Sequence, residues 1–114
     1  MQTIGKSGED KAEAFLKNAG YSISKRNYRY KHAEIDIICV IDDLLVFVEV
    51  KTRTSTSFGQ PESFVTENQQ ASIIRGAEQY LKEQNWEGDI RFDILAIVDA
   101  QGRVSIEHFK DAFY

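Results

Sequence analysis

Proline, cysteine, methionine and tryptophan each occur once in 114 residues. The lone Cys39 rules out an internal disulfide framework, and it cannot build a zinc cluster without other ligands. Set among Ile and Val, it is expected to be an inert buried thiol in a reducing cytoplasm. The single proline, Pro61, accompanies an absence of internal repeats and low-complexity segments. No apolar run approaches the roughly 18 residues that span a bilayer. The opening "MQTIGKSGED" lacks the apolar stretch of a secretory signal, so no membrane partner is expected. Positive charge is also short: 14 Lys and Arg face 18 Asp and Glu, giving −4. That excludes a protein that coats nucleic acid by charge alone.

What is present is the composition of a soluble globular chain, 42% hydrophobic and 28% charged. The length suits one domain over 1–114, with no room for a second core. Charge is segregated: residues 1–31 hold seven Lys and Arg against three acids, while 55–114 hold five against ten. The densest basic stretch is "KRNYRYKH" (25–32).

Hydrophobic spacing predicts a helix over 7–19, where Ala12, Phe15, Leu16 and Ala19 share a stripe, Ser7 with Asp10 resembles a capping box, and Gly20 stops the helix. Strands are expected at 21–30, 33–41 and 44–52. A ten-residue loop, "TSTSFGQPES", follows Arg53 and is long enough to be functional. A second helix is expected over about 66–84, capped by Thr66 and Gln69, then strands at 90–98 and 103–109. The order α-β-β-β-α-β-β predicts an α/β fold, a mixed sheet of about five strands flanked by helices.

The segment "EIDIICVIDDLLVFVEVKTR" (34–53) is the most strand-like of all, yet it contains Glu34, Asp36, Glu49 and Lys51. Charges rarely go into a strand core unless they are paired or hold a metal. If Asp42-Asp43 is a two-residue hairpin loop, Ile41 pairs with Leu44. Asp36 then lies across from Glu49, and Glu34 across from Lys51. Alternation would put all four on one face, with Ile35, Ile37, Cys39, Val46, Val48 and Val50 on the other. Opposed carboxylates repel unless a positive charge sits between them. Lys51 supplies part of that charge, and Mg²⁺ or Mn²⁺ suits the oxygen donors. The bland alternative is a cross-strand salt bridge at a solvated strand end. Glu9 falls on the inward stripe of the first helix and becomes a third carboxylate if that helix crosses the same face; otherwise it is a solvated first-turn acid.

These residues resemble the signature of the PD-(D/E)XK nuclease superfamily: Asp36, twelve residues, then Glu49-Val50-Lys51. More specifically, the chain is similar to the small bacterial YraN-like family, related to archaeal Holliday junction resolvases. The matching stretches are "GEDKAEAFL" (8–16), "GYSISKRNYR" (20–29), 34–53, "FGQPESFV" (58–65), "AEQYL" (77–81), "RFDILAI" (91–97) and "IEHFKDAF" (106–113). The resemblance implies a restriction-endonuclease-like core. It makes Asp36 and Glu49 metal ligands and Lys51 the group that orients water or stabilises charge. Glu9 would be an auxiliary acid, and Glu34 a supporting residue. One departure is Gln69, where such families commonly carry a lysine.

The expected activity is Mg²⁺- or Mn²⁺-dependent hydrolysis of DNA phosphodiester bonds, at branched or junction DNA by analogy. Arg26, Arg29, Lys31 and Arg53 are candidate phosphate contacts. Tyr28 and Tyr30, interleaved with them, read as packing more readily than as base-stacking groups. A homodimer is expected by analogy with junction resolvases. The alternatives are a non-catalytic nucleic-acid-binding module that keeps the nuclease fold, and a protein adaptor using Phe58 and Phe64.

Overall fold

The computed structural model describes residues 4–54 and 65–114, with side chains described from Ser7 onward. Phe58, Pro61, Phe64 and nearly all of the ten-residue loop lie outside the described residues. The elements are α1 (Ile4–Asn18), β1 (Ser22–Tyr30), β2 (Ala33–Ile41), β3 (Leu44–Arg53), α2 (Glu67–Gln84), β4 (Asp89–Ala100) and β5 (Arg103–Phe109). They form one five-stranded sheet in the order β1-β2-β3-β4-β5. Only β3 and β4 run parallel, and α2 makes the crossover that such a pair requires. The expected α-β-β-β-α-β-β order and mixed sheet are therefore present.

Each face of the sheet buries its own cluster. On one side Ala12 and Leu16 of α1 pack over Ile37, Cys39, Val46, Val48, Leu95 and Ile97. On the other, Ile73, Ala77 and Tyr80 of α2 cover Ile35, Ile38, Leu45, Phe47, Phe92 and Ile94. A sheet covered on both faces needs near-continuous apolar strands, and β2 and β3 supply them.

Local signals explain most of the boundaries. Thr66 and Gln69 form the expected reciprocal cap: Gln69 N–H donates to the Thr66 hydroxyl at 3.1 Å, and the Gln69 side chain accepts from Thr66 N–H at 2.9 Å. Gly20 ends α1 with φ +97°, a conformation that costs glycine nothing. Asp42-Asp43 is the expected two-residue loop, with Ile41 opposite Leu44 and Asp42 at φ 52°. Cys39 is fully buried, and burial pushes its thiol up to about 12, with the Asp93 charge adding. That is the inert thiol the sequence suggests.

Several boundaries move by a residue or two, and one moves by about a helical turn. The helix α1 begins at Ile4, so Ser7 is interior to it and is no cap; its hydroxyl instead accepts from Lys11 Nζ at 3.3 Å. Gly8 lets this first part of α1 lie against β3, because a Cβ there would collide with Thr52 Oγ1.

Candidate active site

The β2–β3 ladder keeps the expected register from Ile41↔Leu44 to Ile37↔Val48. It stops one pair short of Asp36 and Glu49. There the Asp36 side chain takes over from the backbone: its Oδ2 accepts the Val50 N–H at 2.8 Å. A buried N–H needs an acceptor, and here a carboxylate supplies it. The two strands part at that point with Asp36 between them.

This substitution corrects the expected shared face. Alternation along β2 breaks at Asp36, so Ile35 packs in the α2 cluster while Ile37 packs in the α1 cluster. Ile35 therefore does not line up with Ile37, Val46 and Val48. By the same alternation Glu34 falls on the α1 side beside its cross-strand neighbour Arg29. Its ion pair is with Arg29, at 3.0 Å, and not with Lys51. Glu49 and Lys51 follow Phe47 on the α2 side, where Glu49 neighbours Ile94 of β4.

Asp36 and Glu49 nevertheless meet. Their side chains come within hydrogen-bonding reach, and Glu49 is half-buried. Burial pushes the Glu49 carboxyl up to about 9, and the hydrogen bond and charge of Asp36 push the same way, as does the charge of Glu34. The Lys51 ammonium opposes them but does not win. A carboxylate pair in this condition either keeps a proton or takes a cation.

Glu9 stands elsewhere. The helix α1 covers the Val46 and Val48 face, and Glu9 Oε1 lies 3.5 Å from Arg26 Nη2. Arg26 also meets Asp10 at 2.8 Å and Glu13 at 3.4 Å, so its charge is matched by three acids. Its hydrogen bond to Asp10 raises the guanidinium further. Among the described residues no group of three His, Cys, Asp or Glu is placed to hold a metal ion. The donor set at this point is thus the Asp36–Glu49 pair. Two carboxylates, with the other positions left to water and a phosphate, suit Mg²⁺ and Mn²⁺.

The remaining candidates divide. Arg29 is exposed and paired with Glu34, and Lys31 lies over the Tyr30 ring at 5.3 Å from its centroid. Arg53 donates to the Thr52 carbonyl at 2.9 Å. Tyr28 is buried in packing against Tyr80, with its hydroxyl donating to Glu83 at 2.9 Å.

Sequence reasoning passed over a second polar cluster. Asp93 is fully buried on β4, opposite Val48, one position before the Glu49 register. It receives Arg91 Nε at 2.8 Å, Arg91 Nη2 at 2.7 Å and the Asp111 N–H at 3.0 Å, and its Oδ2 lies 2.6 Å from His108 Nε2. Arg91 also donates to the Tyr21 hydroxyl at 2.8 Å. Burial alone would raise Asp93, but the His108, Arg91 and Asp111 hydrogen bonds hold it below the usual carboxylate range. An aspartate inside the apolar run "RFDILAI" was the available signal.

Comparison with known proteins places the chain in a family. The model of the Uncharacterised protein family UPF0102 matches residues 8–97. A UPF0102 protein of Flavobacterium psychrophilum is 42% identical over 97% of this chain and 93% of its own. One from Bacteroides thetaiotaomicron is 41% identical over 97% and 92%, and one from Chlorobium chlorochromatii is 45% identical over 97% and 91%. The match begins at Gly8 within α1 and takes in the Asp36–Glu49 pair and the buried Asp93, and the chain belongs to the UPF0102, or YraN-like, family.

Proposed function

We propose that this protein is a divalent-cation-dependent nuclease that hydrolyses phosphodiester bonds of DNA. The observation that carries the reading is the Asp36–Glu49 pair: two carboxylates in contact, half-buried, with Glu49 driven toward its neutral form. Stability alone would be served better by an amide at one of the two positions. Asp36 and Glu49 would hold Mg²⁺ or Mn²⁺, and a cation so held lowers the pKa of bound water and neutralises phosphate charge.

The chain's own groups supply the rest. Asp36 is fixed by the Val50 N–H, so its second oxygen keeps a set direction. Lys51, beside the pair, donates to developing negative charge on the phosphate oxygens. That role is electrostatic, set by its place beside the two carboxylates. Arg29, Lys31 and Arg53 remain candidate contacts for the DNA backbone, which give affinity without sequence preference.

The direct test is cleavage of supercoiled plasmid and of a four-way junction with Mg²⁺ or Mn²⁺. Wild type should nick or cut in the presence of the metal and be silent in chelator. Asp36→Ala and Glu49→Gln should lose cleavage, and Lys51→Ala should fall roughly 10²–10³-fold. Equal cleavage by the carboxylate variants would remove the assignment. Metal-independent binding without cleavage would leave a nucleic-acid-binding module on the same fold.

A further inference from the structure

A cavity of about 360 Å³ lies between the β1–β2 turn and α2, lined by Tyr30, Lys31, His32 and Ala33 from the turn and by Arg75, Glu78, Gln79 and Lys82 from the helix. The four helix positions are spaced three, four and seven residues apart, so one face of α2 looks into it. Three permanent cations, Lys31, Arg75 and Lys82, meet one acid, Glu78, in a chain whose net charge is −4. Among the described residues none of the three is ion-paired. There Arg75 donates to Ser72 Oγ, at 3.4 Å, and Lys31 lies over the Tyr30 ring. Glu83, the next acid along the helix, is turned to Tyr28 and Gln79.

An unpaired set of cations around one concavity selects an anion. The size is that of a small-ligand site, at its lower end. The net charge of the lining, +2, exceeds the single charge of an internal phosphodiester. It matches a phosphate monoester, which carries about −1.5 to −2 at neutral pH. Arg75 adds the planar fork that reads phosphate oxygens in pairs. The half-buried Tyr30 ring offers an apolar surface for a sugar or base. We propose that this cavity binds a nucleotide bearing a terminal phosphate monoester. A free nucleoside monophosphate and the 5′-phosphorylated end of a strand present the same chemistry.

The site uses neither Asp36 nor Glu49, and it shares Lys31 alone with the cleavage reading, so the test substitutes Arg75 and Lys82 instead. It lies three residues along β2 from Asp36, roughly 10 Å of strand.

The test is fluorescence anisotropy in chelator, with a 3′-labelled single-stranded oligonucleotide carrying either a 5′-phosphate or a 5′-hydroxyl. Wild type should prefer the phosphate end at least tenfold. Arg75→Gln with Lys82→Gln should erase that preference, and Asp36→Ala should retain it. Adenosine monophosphate should displace the phosphorylated strand if the cavity also takes the free nucleotide; displacement by the strand end alone would assign the site to nucleic-acid termini. Arg75 and Lys82 are exposed, so folding of that double variant should survive; thermal melting checks it and Asp36→Ala alike. Equal affinity of wild type for both ends, with no binding of the monophosphate, overturns the proposal. So does a preference that survives Arg75→Gln with Lys82→Gln. If cleavage also fails, the two failures remain separate, because this assay contains no divalent cation.

Discussion

At the scale of single residues, the role proposed for Asp36 and Glu49 is set against stability. Glu49 has its carboxyl raised in the folded state by burial and by Asp36. The folded protein therefore holds a proton that the unfolded chain releases from about pH 4.5 upward. Stability from this group is full below that pH and is lost progressively as pH rises towards about 9. Glu49→Gln removes the titration while keeping a neutral, hydrogen-bonding side chain. The variant should gain on wild type as pH rises, reaching roughly 1–2 kcal/mol near pH 8, and should show no advantage near pH 4. Urea unfolding across that range measures it. Saturating Mg²⁺ should close the gap by stabilising wild type alone.

At the scale of elements, the site depends on how α1 and the two strands meet. Gly8 permits the approach of α1 to Thr52, and an added methyl has no space. Gly8→Ala should cost about 1–3 kcal/mol by overpacking. Thr52→Ala in the same chain should recover most of the loss, a coupling that a double-mutant cycle of melting data would detect. This contact was not legible in the sequence, where Ser7 and Asp10 imitate a capping box and move the helix start inward. The hairpin was legible, because a two-residue loop at Asp42-Asp43 fixes every pair from Ile41 to Ile37. Legibility ended at Asp36. Its side chain replaces a backbone acceptor for Val50 N–H and breaks the alternation on which the shared face was argued. Periodicity carries no record of such a replacement. The Arg91–Asp93–His108 cluster escaped for a related reason: Tyr21 is 70 residues from Arg91, and His108 is 15 from Asp93.

At the scale of the whole molecule, that buried cluster is the fastener. Asp93 joins β4 to β5 through His108 and to the C-terminal segment through Asp111, while Arg91 reaches Tyr21 in the link between α1 and β1. Removing the carboxylate strands a half-buried guanidinium. Asp93→Ala should therefore destabilise by about 3–5 kcal/mol. The depressed Asp93 also gives a linkage of opposite sign to Glu49: its contribution is present above pH 3.8, the ordinary aspartate value, and is lost as pH falls through the lower folded value. The sheet so fastened holds the carboxylate pair at the parting of β2 and β3, with Lys51 beside it. Calorimetric titration of Mn²⁺ into wild type, Asp36→Ala and Glu49→Gln probes that pair without any assumption about substrate. One Mn²⁺ bound per wild-type chain, and none in either variant, is expected. Wild-type heat retained in Asp36→Ala, or no heat in wild type, would mean that the two carboxylates share no cation.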